Sequence, residues 1–413
     1  MPSPEKHRVA VIGGGAAGLM AAIAAARAGA DVFLLEKTPR VGRKLLLTGN
    51  GRCNLTHSDC SPRRYHGRRP EFFRTVLTSF PAERTLSFFK ELGLLTKTEE
   101  DGRVFPLCDQ ASTVLDLLRD ELSRLNVPIH AETEIRNIRN RFDLTCADNR
   151  RFKADRVILS TGGLAHPETG SDGKGLLLAE QCGHHLVPVF PVLVPVRVRS
   201  PFLKSLKGTR TDCDIELTVD GKPVQRESGE IIFNSDNLSG IPLFQLSRKV
   251  TECLQAHRRP SLRIDLLPGI NAKVLAEELE GRFRTRPQEP PERALLGLLN
   301  KRFIPVLLKT AGFKTESPSG STVSRSRVSS LVELIKGWSW EITGTLGWAE
   351  AQATAGGVDT LEVDPLTMES RLTPGLFFAG EILDVDGDCG GFNLHWAWAT
   401  GATAGRAAAG TED

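Results

Sequence analysis

The chain has 413 residues, with 53 Lys and Arg against 50 Asp and Glu and a formal net charge of +3. That balance excludes a strongly basic whole-chain nucleic-acid binder, and the length suggests two or three domains with ample core. No stretch is long and apolar enough to span a bilayer, and the eight cysteines show no CxxC spacing, so they read as reduced thiols of a cytoplasmic protein with no metal site.

In chain order, Arg8 to Ile12 reads as an apolar strand, Gly13-Gly14-Gly15-Ala16-Ala17-Gly18 as a turn, Ala16 to Ala28 as a helix and Asp31 to Leu35 as a second strand ending at Glu36. Each glycine has its own reason. Gly13 turns off the strand, Gly15 lets backbone approach a pyrophosphate, and Gly18 lets helix pack on sheet. The pyrophosphate then sits on the helix N-terminus, over Ala16 and Ala17, and Glu36 is placed to hydrogen-bond a ribose. A secretory signal is the competing reading, with Lys6, His7 and Arg8 as its basic end. The glycine triplet and Arg27 inside the supposed apolar core argue against it.

The loop from Val41 to Asn54 is too glycine-rich and polar for regular structure, and loops of that length are usually functional. Helical patterns follow at Ala82 to Leu92 and Ala111 to Leu125. Short period-two runs follow at Ile129 to Ala131, Glu134 to Arg139, Phe142 to Cys146 and Arg151 to Lys153. Val157 to Leu159 is a buried strand running into Ser160-Thr161-Gly162-Gly163. From Pro188 the pattern becomes scattered strands, including Cys213 to Val219 before the turn Asp220-Gly221. Asn271, a helix N-cap, opens helical segments that reach Lys336, interrupted at Pro287, Pro290 and Pro291. From Val196 to Glu341 there are 24 Lys and Arg against 17 Asp and Glu, so the middle is more basic than the ends.

The last stretch returns to strand, glycine turn and helix. Gly375 to Ala379 ends at Gly380-Glu381, and Gly390-Gly391-Phe392-Asn393-Leu394 opens a helix from His395 to Ala409. A second glycine turn far from the first suggests one long cofactor held at both ends. FAD fits better than a nicotinamide dinucleotide, because its ring system must be fixed as well as its pyrophosphate. Glu381 can accept from a ribityl hydroxyl, and the N–H groups from Gly391 to Leu394 can sit near flavin N1 and O2.

These segments carry a resemblance. Val11 to Gly18, Gly42-Arg43-Lys44-Leu45-Leu46, Thr48 to Asn54, Gly102 to Pro106, Thr161-Gly162-Gly163, Thr169 to Gly173, Thr354 to Val358, Ala379-Gly380-Glu381 and Leu383 to Gly387 together resemble the BaiN/RdsA-like (YhiN-type) NAD(P)/FAD-dependent oxidoreductases over nearly the whole chain. The resemblance implies an α/β fold, a Rossmann-like doubly wound FAD-binding domain with an inserted β-rich domain and a helical domain. The expected divisions are 1–190 and 351–413 for the FAD domain, 191–260 with 337–350 for the β-rich insert and 261–336 for the helices. It also implies that the Ile135 backbone meets the adenine and that Lys44, Asn50 and Cys53 approach the flavin side. Lys37, Arg43, Gly51, Thr161 and Gly162 complete the expected cofactor contacts. Departures fall on the substrate side: His166 and Phe392 stand where the family commonly has Tyr, and Phe233 to Gly240 replaces a loop usually reading Phe-Thr-His-x-Gly-Ile-Ser-Gly. Proteins resembling this family have been linked to steroid-type conjugated double bonds, small amines and a uridine of ribosomal RNA, so fold alone names no substrate.

No second GxGxxG unit exists, and Gly170 to Gly175 has the wrong spacing. NAD(P)H is therefore expected as a transient donor in a ping-pong scheme, with hydride passing through flavin N5. Cys53, His166 and His395 are the candidates for the acid that supplies the second proton, Cys53 because Arg52 beside it would lower a thiol pKa. Two clusters have alternative uses. Arg63-Arg64-Tyr65-His66-Gly67-Arg68-Arg69 is either a solvated basic loop or one that grips phosphate and stacks a base. Trp338, Trp340 and Trp348 either brace the strands returning into the FAD domain or wall a substrate. The expectation is an FAD-dependent oxidoreductase reducing a conjugated C=C bond of a small-molecule acceptor. The alternatives are a dihydrouridine-forming reductase acting on ribosomal RNA and a flavin-binding sensor without turnover.

Overall fold

The computed structural model describes residues 6–285, 287–313 and 323–410. They form two compact units: the residues up to Pro191 together with those from Ala351 on, and Val192–Glu350.

The first unit is built on a five-stranded sheet of β1 (Arg8–Ile12), β2 (Asp31–Leu35), β3 (Ile129–His130), β4 (Arg156–Leu159) and β5 (Leu376–Phe378), in the order β5-β4-β1-β2-β3. Every pairing is parallel; Val9 faces Arg156 on one side of β1 and Arg8 faces Asp31 on the other. Four consecutive residues of both β1 and β2 are buried, the run expected of a parallel strand covered on both faces. The strand order reverses at β1, which has β2 on one side and β4 on the other. A crevice therefore opens beyond the carboxyl ends of these strands.

Two alanine-rich helices, α1 (Ala16–Arg27) and α2 (Phe392–Ala408), pack against each other over this sheet. A Cβ added at Gly401 would lie 2.4 Å from Ala17 O, and one at Gly405 would lie 2.4 Å from Ala21 O. The small residues that look like weak core formers are thus what lets the two backbones touch. α2 begins at Phe392, three residues before the expected start at His395, because Gly391 takes a left-handed φ of 97° and serves as its N-cap.

The second unit is a closed antiparallel barrel of six strands, in the order Val196–Arg199, Asn237–Ser239, Lys222–Phe233, Thr209–Val219, Pro260–Asp265 and Trp338–Thr345. Helices between the last two strands begin at Ala272–Thr285, where Asn271 Oδ1 accepts from Val274 N at 2.9 Å. Leu217, Phe233 and Leu262 of the barrel share one hydrophobic core with Leu275, Leu307 and Leu331 of the helices. Trp338 and Trp340 belong to this core rather than to the strands of the nucleotide unit. Their rings lie 4.6 Å apart, and Trp340 packs on Phe233 at 5.7 Å. Alternation along one strand puts both rings on one face. Trp348 is only half-buried.

Candidate active site

The crevice at the carboxyl ends of β1 and β4 is a cleft whose walls come from both ends of the chain. Its floor is the Gly13 to Ala17 turn, and the glycines divide as their spacing predicts. Gly13 has a φ of +103°, and a Cβ there would meet Ser160 O at 2.6 Å. A Cβ on Gly18 would meet Gly13 O at 1.9 Å, so helix and turn are already in contact. A Cβ on Gly15 would meet nothing within 4 Å: that space is open for a ligand. Gly15 is also the N-cap of α1 and supplies no side chain to cap it, which leaves the first-turn N–H groups available to an anion.

One end of the cleft is set by Glu36, at the end of β2 and buried. Its Oε2 accepts from Gly14 N and its Oε1 from Thr38 N, both at 2.7 Å. Each carboxylate oxygen has a further lone pair, so the side chain can pin the turn and still receive ribose hydroxyls. Thr133, Glu134 and Ile135 line the same cleft, as do Lys37 and Asp172, whose charges lie 2.5 Å apart. Lys174 pairs with Glu134.

Farther along, Arg43, Lys44 and Thr48 face Thr161, Gly162, Gly380, Glu381, Asn393 and Leu394. Lys44 Nζ lies 2.6 Å from Glu381 Oε2, and Glu381 Oε1 accepts from Thr354 N at 2.8 Å. Thr161 keeps a buried hydroxyl without a hydrogen-bond partner, a group that a polar ligand would satisfy. An anion cradle, a ribose acceptor and an unpaired hydroxyl in one cleft fit FAD.

Five of the expected cofactor residues do not line the cleft. Gly18 is under the helix, and Asn50 and Gly51 shape the loop, with φ of 55° and 82°. Gly391 caps α2. The Phe392 ring is buried, stacked on His57 at 4.8 Å.

The three acid candidates separate sharply. Cys53 is fully buried with a φ of +62°, and desolvation pushes its thiol up to about 12. Arg52 does not activate it: the guanidinium lies 3.9 Å over the Phe105 ring and bonds Glu99 at 2.7 Å. His395 is also fully buried. Its Nδ1 is 3.1 Å from the hydroxyls of Thr56 and Thr85, its Nε2 is 3.1 Å from Phe80 O, and desolvation pulls it down to about 4. It is a neutral histidine that ties α2 to its neighbours. His166 differs from both. Its side chain is 25% exposed, its φ is +54°, and its Nδ1 lies 3.0 Å from Glu168 Oε1. In the chain it lies between Gly162 and Thr169, which line the cleft, but His166 itself is not among the lining residues.

The basic loop is not a base-stacking platform. Tyr65 is buried, its hydroxyl donates to Phe392 O at 3.3 Å, and its ring packs near Phe73 and Trp396. Arg63 bonds Asp59 at 2.9 Å and Arg64 meets Asp388 at 3.5 Å; Arg68 and Arg69 stay exposed. Thr354 carried no expected role, yet its hydroxyl accepts from Leu164 N and Ala165 N at 2.9 and 3.1 Å and so props the loop that carries His166. The signal was a lone threonine inside a fully buried strand, Ala353–Val358, otherwise made of Ala, Gly and Val. Ser171, within the Thr169 to Gly173 run, also lines the cleft, as do Thr38, Arg40 and Gln352, and no local pattern marks these last three.

A family model described as the HI0933-like protein Rossmann domain matches residues 7–407. The chain is 42% identical over 408 residues to the 3-dehydro-bile acid delta(4,6)-reductase of Clostridium scindens, covering 98% of this chain and 99% of that protein. It is 30% identical over 402 residues to the ribosomal RNA dihydrouridine synthase of Haemophilus influenzae, covering 94% and 95%. A solved structure of 3-ketosteroid delta1-dehydrogenase from Sterolibacterium denitrificans superposes with a TM-score of 0.50 at 12% identity, over 98% of this chain and all of that one, a likeness of fold alone. Among the described residues no helix is long and apolar enough to cross a membrane.

Proposed function

Because the chain belongs to the HI0933-like Rossmann family, we propose that it is an FAD-dependent oxidoreductase that reduces a conjugated C=C bond of a small-molecule acceptor, with NAD(P)H as transient donor. The observation that carries this reading is the end-to-end identity of 42% to a reductase of such bonds, joined to a cleft that fits FAD. The bound flavin would supply hydride chemistry; the chain's own residues bind, orient and deliver a proton. Glu36 and the first turn of α1 hold the ribose and pyrophosphate. His166 is the proton donor: Glu168 holds its Nδ1, which leaves Nε2 to carry a proton to the acceptor and to regain one from water. Dihydrouridine formation in ribosomal RNA is the second reading, favoured by relatives at 30% identity.

The test mixes purified, flavin-loaded protein with NADH or NADPH and offers either a steroid-type 4,6-dienone or unmodified ribosomal RNA. Loss of the dienone chromophore at a rate matching NAD(P)H consumption is expected. Modification of RNA with the dienone untouched would transfer the assignment to the second reading. His166→Gln should slow reoxidation by the acceptor at least tenfold while leaving reduction by the donor and flavin content intact; equal loss in both half-reactions would return His166 to a structural role.

A further inference from the structure

Lys44 and Glu381 lie 337 positions apart in the chain, yet they meet across the cleft as a closely matched pair of opposite charges. Lys44 Nζ is 2.6 Å from Glu381 Oε2, and the two side chains are only 24% and 19% exposed. Glu381 is held from the other side by Thr354 N. A Cβ at Gly162, on the loop beyond β4, would be 3.8 Å from Glu381 Oε2, so the pair belongs to the wall past the pyrophosphate cradle. Glu36 and Thr133 to Ile135 occupy the nucleoside end, which leaves the Lys44 and Glu381 end for the ring system.

From this placement we propose that Lys44 and Glu381 are a charge-compensating pair that sets the reduction potential of the bound flavin. The proposal rests on the FAD reading. Reduction adds electron density to the ring, so a bare cation nearby favours the reduced form and a bare anion opposes it, with little water to screen either. Paired, the two cancel; unpaired, each acts with its own sign. The two single substitutions therefore shift the potential in opposite directions, which loosening of the fold would not produce.

The experiment measures the midpoint potential of flavin-loaded wild type, Lys44→Met, Glu381→Gln and the double variant by dye-coupled reduction. Glu381→Gln keeps an acceptor for Thr354 N while removing the charge. Lys44→Met should lower the preference for reduced over oxidised flavin at least tenfold, about 30 mV for a two-electron couple. Glu381→Gln should raise it by a similar factor, and the double variant should return toward wild type. Should a single variant fail to load flavin, the charge-reversed Lys44→Glu/Glu381→Lys protein restores the pair, and Lys44→Arg retains the charge; both should keep the wild-type potential. Singles that stay at the wild-type potential, or that shift in the same direction, overturn the charge proposal and leave the FAD reading standing. Wild-type protein that binds no flavin overturns both.

Discussion

Gly15 and Gly18 are three residues apart in one motif but answer to different physics, so substituting each should split stability from cofactor binding. At Gly18 a Cβ would fall 1.9 Å from Gly13 O and 2.6 Å from Ser160 Oγ. The first of these is backbone and cannot move without dragging β1. Overpacking of that kind costs about 1–3 kcal/mol, and at roughly 2–4 °C per kcal/mol for a domain of this size, Gly18→Ala should melt about 2–12 °C lower without any ligand. Gly15 has nothing within 4 Å of such a Cβ and occupies the N-cap of α1, where Ser is at least as good as Gly to within a few tenths of a kcal/mol. Gly15→Ser should therefore melt within about 1 °C of wild type as apoprotein, yet bind FAD at least tenfold more weakly, about 1.4 kcal/mol, because its side chain fills the pyrophosphate's approach. The assay is a thermal melt of each apoprotein followed by flavin titration. If Gly15→Ser binds FAD as wild type does, or melts as low as Gly18→Ala, the assignment of Gly15 to ligand approach is refuted.

Glu36→Ala should weaken FAD binding by roughly 1.5–3 kcal/mol and also lower apoprotein stability, since Gly14 N and Thr38 N lose their acceptor; unchanged flavin affinity in a titration would remove Glu36 from the ribose site. His395 binds its proton less readily folded, at about 4, than unfolded, at 6.5. The unfolded chain therefore takes up the extra proton, and stability is full above about pH 6.5 and falls as pH drops toward 4, by about 3 kcal/mol in all. Urea melts should show that slope flattened in His395→Gln, and an unaltered slope would assign the acid sensitivity elsewhere. Tyr65→Phe should cost about 0.5–1.5 kcal/mol of stability, read by the same melts, because it removes the hydroxyl that donates to Phe392 O; a variant that melts as wild type does would show that this bond contributes nothing.

The parts of this protein legible in its sequence are those where a few adjacent residues impose the geometry themselves. Gly13, Gly15 and Gly18 do so, because backbone at that turn touches Ser160 on one side and open space on the other. Glu36 does so because a strand of fixed rise delivers its last residue beside the turn. The period-two run at Arg151–Lys153 is observed as a strand at the same residues. Reading failed where the outcome depended on what the rest of the fold lays over a segment. Arg52 next to Cys53 suggested an activated thiol, but Glu99 and Phe105, about fifty residues on, capture the guanidinium. Tyr65 among arginines left a stacking surface open beside a solvated loop, but Phe392 and Trp396 cover the ring from the far end of the chain. Trp338 and Trp340 alternate onto one face in sequence, but only closure of the barrel determines that this face looks inward.

The same dependence explains why the cofactor cleft was easier to read than its chemistry. A pyrophosphate is held by backbone N–H groups, and glycine spacing reports backbone directly. A proton donor must instead be an ionisable side chain with some access to water, and access is a property of the assembled unit. Cys53, His166 and His395 are equivalent as letters; burial removes two of them, and Thr354, 188 positions from His166, supports the loop that carries the third. A residue near the C-terminal end of the chain thus governs where an imidazole near its middle can stand. The decisive variant for the acid assignment is for that reason Thr354→Val as well as His166→Gln. If Thr354 acts only by propping the loop, Thr354→Val should slow reoxidation by the acceptor less than His166→Gln does, and the double variant should be no slower than His166→Gln alone. Rates that multiply in the double variant would show that the two residues act independently, and would mean that Thr354 does not act through the loop that carries His166.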